Sequence, residues 1–218
     1  YFEAVLFRDL VERHNISHPK ALMDLAHRLI DNISSLYSIN SLTGYLKSLG
    51  HRAPKSAVSD YLLWFEDAYF LFTVPLFDAS LTRSKANPKK IYCVDHALVP
   101  SIASGILLNA GHLLENLVFA ALRRVSKTIY YGRTRSGREV DFVAQRQDRS
   151  LRLIQVCDSL AQPGTRRRET DALSELMSET DTDSGTIVTR GEQDEVKTPK
   201  GKIKVVPAWR FLLDLEEF

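Results

Sequence analysis

Two short apolar stretches, EVDFVAQ (139–145) and LRLIQVC (151–157), flank the polar turn RQDRS. Each is strand-length and is bounded by turn residues, which predicts a β-hairpin. Side chains alternate along a strand. Glu139 and Asp141 therefore share one face, and Leu153, Gln155 and Cys157 share one face of the next strand. A carboxylate inside an apolar run is costly unless something holds it, so Asp141 is the first candidate for chemistry.

The surrounding pattern sets the hairpin in an α/β domain. GHLLENLVFAALRRVS (111–126) is a strong helix whose buried face is Leu113, Leu114, Leu117, Val118, Ala121 and Leu122, with Glu115 beside it. A strand is expected over 128–132, a helix from about Arg167 to Glu179, and strands over 186–189 and 203–206. Pro207 suits the first turn of a last helix, PAWRFLLDL.

The N-terminal part is helical. Phe2, Val5, Leu6 and Leu10 mark one helix face, and Asn15 to Pro19 break it. Amphipathic helices follow over 21–33 and 39–49, the second ended by Gly50. A third carries Val58, Tyr61, Leu62, Phe65, Ala68 and Tyr69, and runs into the β-type stretch LFTVPLFD. Three short helices and a strand ribbon form a winged-helix pattern. The third helix would usually read the major groove. Here its polar face carries Asp60 and Asp67, with Glu66 nearby, which phosphates repel. The stretch from Ala79 to Lys90 has no acid, and Arg83, Lys89 and Lys90 make it a candidate basic wing. IYCVD (91–95) reads as a short strand with Asp95 capping the turn that follows.

Charge is unevenly spread along the 218 residues. From Gly111 to Arg168 there are twelve Arg or Lys against five Asp or Glu; from Glu169 to Glu195 there are nine acids and one Arg. Two cysteines, Cys93 and Cys157, lie in apolar runs and read as free thiols of a reducing, cytoplasmic compartment. No run of about 18 apolar residues offers a membrane span. No G-x-x-x-x-G-K-[ST] stretch is present to cradle nucleotide phosphates. The six histidines lack metal-ligand spacing, and Trp64 and Trp209 read as core aromatics.

FRDLVER (7–13), YLLWFEDAYFLFTVPLF (61–77), NPKKIYCVDHAL (87–98), GHLLENLVFAALRR (111–124), GREVDFVAQ (137–145), LIQVCDSL (153–160) and VPAWRFLL (206–213) occur in that order. In this the chain resembles the C-terminal region of the predicted prokaryotic AAA+ ATPase family. The resemblance implies a helical remnant of the ATPase module over 1–18, a winged-helix-like domain over 19–90, and a restriction-endonuclease-like domain with a mixed sheet over 91–218. It also implies a preceding ATPase module as partner. ATP and magnesium would belong to that module, and no cofactor is expected here.

A nuclease of that fold needs a divalent ion, held by hard anionic oxygens, to polarise the phosphate and activate water. Its pattern is an Asp on one strand and a Glu two residues before a Lys on the next, with a helical Glu assisting. Asp141 and Glu115 match. Gln155 stands in the second carboxylate position and Cys157 in the lysine position; an ordinary thiol is mostly protonated at neutral pH and does not replace an ammonium. A degenerate site and no bound metal are therefore expected, with Arg166 to Arg168 as a source of a displaced cation. Arg133, Arg135, Arg138, Arg166, Arg167 and Arg168, with Lys89 and Lys90 as auxiliaries, are the expected nucleic-acid-binding cations. The functions left open are an accessory module binding a nucleic-acid backbone or a protein, an active metal-dependent nuclease with a substituted site, and a structural or oligomerising module.

Overall fold

A computed structural model describes residues 4–16, 18–86, 88–103 and 109–215. The chain divides into two units, residues 1–74 with 87–109 and residues 75–86 with 110–218.

In the first unit, α1 (Val5–Glu12) is a wide helix with i+5 hydrogen bonding. Its Leu10 is buried, while Phe2 lies outside the described residues. α2 (Pro19–Asp31) begins on a proline, whose fixed φ suits a first turn, and buries Leu22, Leu25, Ala26, Leu29 and Ile30. α3 (Ile39–Ser48) starts on a reciprocal cap. The Ser41 N–H donates to Ser38 Oγ at 3.1 Å, and the Ser38 N–H donates to Ser41 Oγ at 3.0 Å. Gly50, at φ +83°, turns the chain out. α4 (Lys55–Asp67) follows Pro54. Three antiparallel strands, β1 (Leu36–Tyr37), β2 (Leu71–Val74) and β3 (Lys89–Cys93), stand in the order β1-β3-β2. Glu66, at the end of α4, accepts from the Thr73 N–H at 2.7 Å and the Thr73 hydroxyl at 2.5 Å, fixing β2 to its helix. The Ala97 N–H donates to Asp95 Oδ1 at 2.8 Å, the expected cap, ahead of α6 (Leu98–Ile102).

The second unit is a six-stranded sheet of β4 (Thr128–Arg133), β5 (Glu139–Gln145), β6 (Leu151–Val156), β7 (Ser184–Thr189), β8 (Asp194–Lys197) and β9 (Lys202–Pro207), in the order β4-β5-β6-β7-β9-β8. β6, β7 and β9 run parallel; the other neighbours are antiparallel. The parallel step from β6 to β7 needs a crossover, and α8 (Pro163–Glu179) supplies it. Leu173, Leu176 and Met177 of α8 enter one core with Val140, Val143, Leu153, Ile187 and Val205. Gly132 allows the close approach: a Cβ there would stand 2.5 Å from Leu176. Phe142 points to the other face and packs on Phe119 of α7 (Ala110–Val125), with ring centroids 6.4 Å apart. α9 (Ala208–Leu213) packs against α7, β7 and β9.

Several expectations change. The stretch read as a basic wing holds α5 (Leu81–Ala86), and residues 75–86 belong to the second unit. There the Phe77 N–H donates to the Tyr131 carbonyl at 2.8 Å, the Tyr131 N–H to the Pro75 carbonyl at 3.0 Å, and Leu76 bridges Tyr131. Conversely β3, with Ile91 to Cys93, pairs inside the first unit, so the division does not fall at 90/91. α8 begins four residues before Arg167, at Pro163. β8 was not expected, because its DEVK sequence has no apolar alternation; it is an edge strand made acceptable by charge. Pro207 ends β9 and caps α9 rather than opening it. Trp209 is 61% exposed instead of buried, and Trp64 is half-buried with its ring stacked on His14 at 4.3 Å. Both cysteines are free; burial pushes the Cys93 thiol up to about 11, whereas Cys157 is half-buried. Among the described residues no helix is long and apolar enough to cross a membrane.

Candidate functional site

The site forms where the β5–β6 ladder ends. On its other side, β5 carries a bulge. Tyr130 pairs with Val143 and Gly132 with Val140, so Asp141 and Phe142 together oppose Tyr131. On the β6 side the last regular pair is Phe142 with Ile154. Beyond it, side chains do what backbone bonds do elsewhere. The Val156 N–H donates to Asp141 Oδ2 at 2.9 Å, and the Asp141 N–H donates to Gln155 Oε1 at 3.2 Å. The two strands are thus clasped by each other's functional side chains.

The other end of the Gln155 amide extends the clasp to the helix. Gln155 Nε2 donates to Glu169 Oε2 at 2.8 Å. Glu169 Oε1 accepts from Arg168 Nε at 3.0 Å and Nη2 at 2.5 Å. Asp141, Gln155 and Glu169 are 6%, 7% and 5% exposed, so the two bonds made by the Gln155 amide are buried, whereas the Arg168 guanidinium reaches Glu169 from the surface. Arg168 also lies within electrostatic range of Cys157 and Asp141; Glu169 is the main reason its guanidinium is held even more firmly protonated than usual.

Cys157 closes the group. Its thiol donates to the Ser159 carbonyl at 3.1 Å. Burial pushes the thiol up from its ordinary value; a backbone hydrogen bond at Ser159 and Arg168 oppose the rise, and Glu169 and Glu192 add to it. The thiol form is favoured, so the position supplies no cation. Arg168 is a cation within electrostatic range of it.

Glu115 is buried on α7 at 8% exposure. Among the described residues, no group of three or more His, Cys, Asp or Glu side chains is placed to hold a metal ion. The donor set explains this. Gln155 presents an N–H to Glu169, Asp141 accepts from a backbone N–H, and Glu169 is shared by an amide and a guanidinium. A divalent ion does not fit this arrangement without breaking it.

Glu169 is the residue sequence reasoning passed over. A signal was present: it lies three and four residues before Ala172 and Leu173, on the buried stripe of α8, where a carboxylate has no business unless it is bonded.

The expected arginines are largely paired within the unit. Arg138 meets Glu175 at 3.4 Å and Asp171 at 3.7 Å, Arg167 meets Asp171 at 3.6 Å, and Arg166 bonds Asp194. The turn between β4 and β5 docks on acids of the same helix, α8. The Arg135 N–H donates to Glu179 at 2.9 Å, and the Ser136 N–H and hydroxyl to Glu175 at 3.1 and 2.7 Å. The side chains of Arg133 and Arg135 are exposed and, among the described residues, form no ion pair. Lys90 is 2% exposed inside β3 and does not offer its charge at the surface, which leaves Lys89 alone of the two.

Comparison with known proteins divides the chain near residue 109, with 75–86 falling in the N-terminal match. Residues 110–211 match a family model described as Domain of unknown function (DUF4143). Residues 1–107 match another, Domain of unknown function (DUF8612). The chain is similar to an uncharacterized protein of Methanocaldococcus jannaschii, with 29% identity over 223 residues covering 98% of this chain and 49% of that protein. It therefore spans about half the length of the curated relative it matches. No solved structure matches the chain.

Proposed function

We propose that the second unit is a restriction-endonuclease-like module whose metal site has become a structural clasp, and that the chain is a non-catalytic accessory region that binds a nucleic-acid backbone or a protein for a longer protein. The observation that carries this is Gln155. A carboxylate at that position would add charge for a metal, whereas the amide donates to Glu169 and accepts from the Asp141 backbone, using both its ends internally. The order helix, strand, hairpin strand, crossover helix, parallel strand supports the nuclease-like reading. In the first unit the order helix, strand, helix, helix, strand, strand, with β3 between β1 and β2, supports the winged-helix reading. Domains described as DUF4143 are common at the C-termini of AAA-type ATPases, and the relative's unmatched half leaves room for such a module.

The test is direct. Titration of the 218-residue chain with Mn²⁺ in a calorimeter gives no saturable binding, and supercoiled plasmid stays intact with Mg²⁺ or Mn²⁺. Nicking that disappears in Asp141→Ala overturns the reading. One observation favours the second reading, a nuclease with a substituted site: α8 brings a carboxylate, Glu169, and a cation, Arg168, to Asp141. On that reading Glu169→Gln abolishes metal-dependent nicking as fully as Asp141→Ala does.

A further inference from the structure

The other end of the β5–β6 hairpin carries cations of a different kind. Lys127, just before β4, donates its backbone N–H to the Gln145 carbonyl at 2.9 Å, and Thr128 pairs with Gln145. The end of α7, with Arg123 and Arg124 in its last turn, and the turn RQDRS (146–150) therefore lie at the same end of the sheet. These two short segments hold Arg123, Arg124, Lys127, Arg146 and Arg149 against a single acid, Asp148. Asp148 is already engaged by the Ser150 N–H and hydroxyl, at 2.9 and 2.6 Å. Arg124, Lys127 and Arg149 are exposed, and among the described residues none of them forms an ion pair. That is the reverse of the clasp end, where Arg138, Arg166, Arg167 and Arg168 all do.

Arg149 adds a separate observation. It sits at φ +72°, the left-handed position of the turn, where glycine or asparagine is sterically cheaper. Its N–H closes the turn on the Arg146 carbonyl at 3.1 Å. A long cation held at the tip of a turn, in a conformation its Cβ disfavours, points to a use for the guanidinium outside the turn.

We infer that this end of the sheet, with Arg124, Lys127 and Arg149 at its centre, binds the phosphate backbone of a nucleic acid without reading its sequence. Arg124, Lys127 and Arg149, exposed cations on two separate segments with no ion pair among the described residues, match an anion that repeats along its length rather than one carboxylate. The patch also lacks what a protein interface needs. None of the exposed large hydrophobic side chains falls in either segment, so no aromatic or aliphatic anchor is present. Backbone contacts need only charge and donors. This rests on the backbone-binding half of the proposed function and locates it; it does not depend on the clasp, because the patch is built from other residues and metal binding is not involved.

Fluorescence anisotropy with a labelled random-sequence duplex, using the 218-residue chain, tests it. Binding is expected at low salt and weakens steeply as salt rises. Arg124→Ser, Lys127→Ser and Arg149→Gly together lower affinity by roughly tenfold or more and reduce the salt slope by about one per lost contact. Thermal melting of the same variant checks that it folds, and Arg149→Gly alone, which relaxes the backbone, serves where the triple variant does not. Absence of binding at low salt overturns the inference. So does a triple variant that binds as the parent does, or loss of binding on replacing Arg166 and Arg167 instead, which returns the contact to the clasp end. Equal capture of labelled polyglutamate, lost in the same triple variant, also overturns it and assigns the patch to an acidic protein.

Discussion

At the Asp141 end of the β5–β6 hairpin, charge is turned inward: Asp141 holds the Val156 N–H, Gln155 holds Glu169, and Glu169 holds Arg168. At the Arg146–Ser150 end, Arg149 and the neighbouring Lys127 and Arg124 have no ion pair among the described residues. The sequence supplies both ends with the same residue types, arginines beside acids. What separates them is the register of the crossover helix. α8 passes Glu169, Asp171 and Glu175 over the first end, so the acids that follow Arg168 in sequence become the counterions of Arg168, Arg167 and Arg138 in space. The patch on the second end is left to solvent because its two segments contain one carboxylate, already spent on Ser150. Charge asymmetry along a chain is therefore a poor guide to surface potential until the helix that carries the acids has been placed.

The comparison breaks most visibly at Gln155. Gln155→Leu keeps the volume but leaves a buried carboxylate one donor short and the Asp141 N–H without its acceptor. The expected cost is about 2–4 kcal/mol, read by urea unfolding. A loss under half a kilocalorie would mean that the clasp is replaceable and its charges are not structurally committed. Gln155→Glu asks the opposite question. It sets a second carboxylate against Glu169, where the pair cannot both ionise without a cation. We expect a loss of about 1–2 kcal/mol without metal and a melting temperature that Mn²⁺ raises, with no such response in the parent chain. If Mn²⁺ raises both equally, the amide is not what excludes the ion.

How far this was legible beforehand differs between the parts. The hairpin, α7, α2, α3 and α4 were readable because each has a clean period, such as Leu22, Leu25, Leu29 and Ile30 on α2 or Val118, Ala121 and Leu122 on α7; α6, too short to show a period, was expected as a turn. Strand alternation set Gln155 with Leu153 and Cys157 on one face of β6, and only the nuclease-like pattern set it beside Asp141, whose backbone N–H donates to Gln155 Oε1. The bulge in β5 could not be read, since a one-residue insertion depends on the partner strand. The fate of 75–86 could not be read either: its bonds to Tyr131 are long-range, whereas its composition is that of a loop. β8 was hidden because an edge strand needs charge rather than alternation. Trp209 illustrates the limit of residue type as a guide to burial; a tryptophan on a six-residue helix covers only what that helix faces.

The unpaired end gives a smaller, opposite effect on stability. Arg149→Gly removes a Cβ from a left-handed backbone and should stabilise the chain by about 1 kcal/mol. Thermal unfolding measures it. A gain in stability joined to a loss of duplex affinity sharpens the contrast, since loss of the buried Glu169 charge at the clasp end costs stability. A destabilised glycine variant would place Arg149 among the structural residues after all.

The smallest expected effect concerns acid and the turn that docks on α8. Glu175 is held below the usual carboxylate range, first by the Ser136 hydroxyl, then by the Ser136 backbone N–H, Thr134 and Arg138. A carboxyl depressed by folding stabilises the native state above its unfolded value and loses that contribution as pH falls through the folded one. Glu175 lies at the surface with its side chain 25% exposed, and its partners lie in one turn, so the effect is local rather than global. The bonds at risk are those from Ser136 N–H and hydroxyl, together with the Arg138 contact at 3.4 Å. Gly137, at φ +88°, gives the turn a backbone that can swing once they are released. Hydrogen exchange at Arg135 and Ser136, corrected for its intrinsic pH dependence, is therefore expected to accelerate several-fold below about pH 4, while the buried amides of Val143 and Ile154 do not change. The same measurement on the Arg146–Ser150 turn supplies the contrast. Asp148 is also held low, chiefly by Ser150, but its partners lie within its own turn, so acid loosens that turn without releasing it from α8. If both turns loosen together with the core strands, the carboxylates at the clasp end act on the whole unit, and the separation between the two ends of the hairpin is not one of local electrostatics.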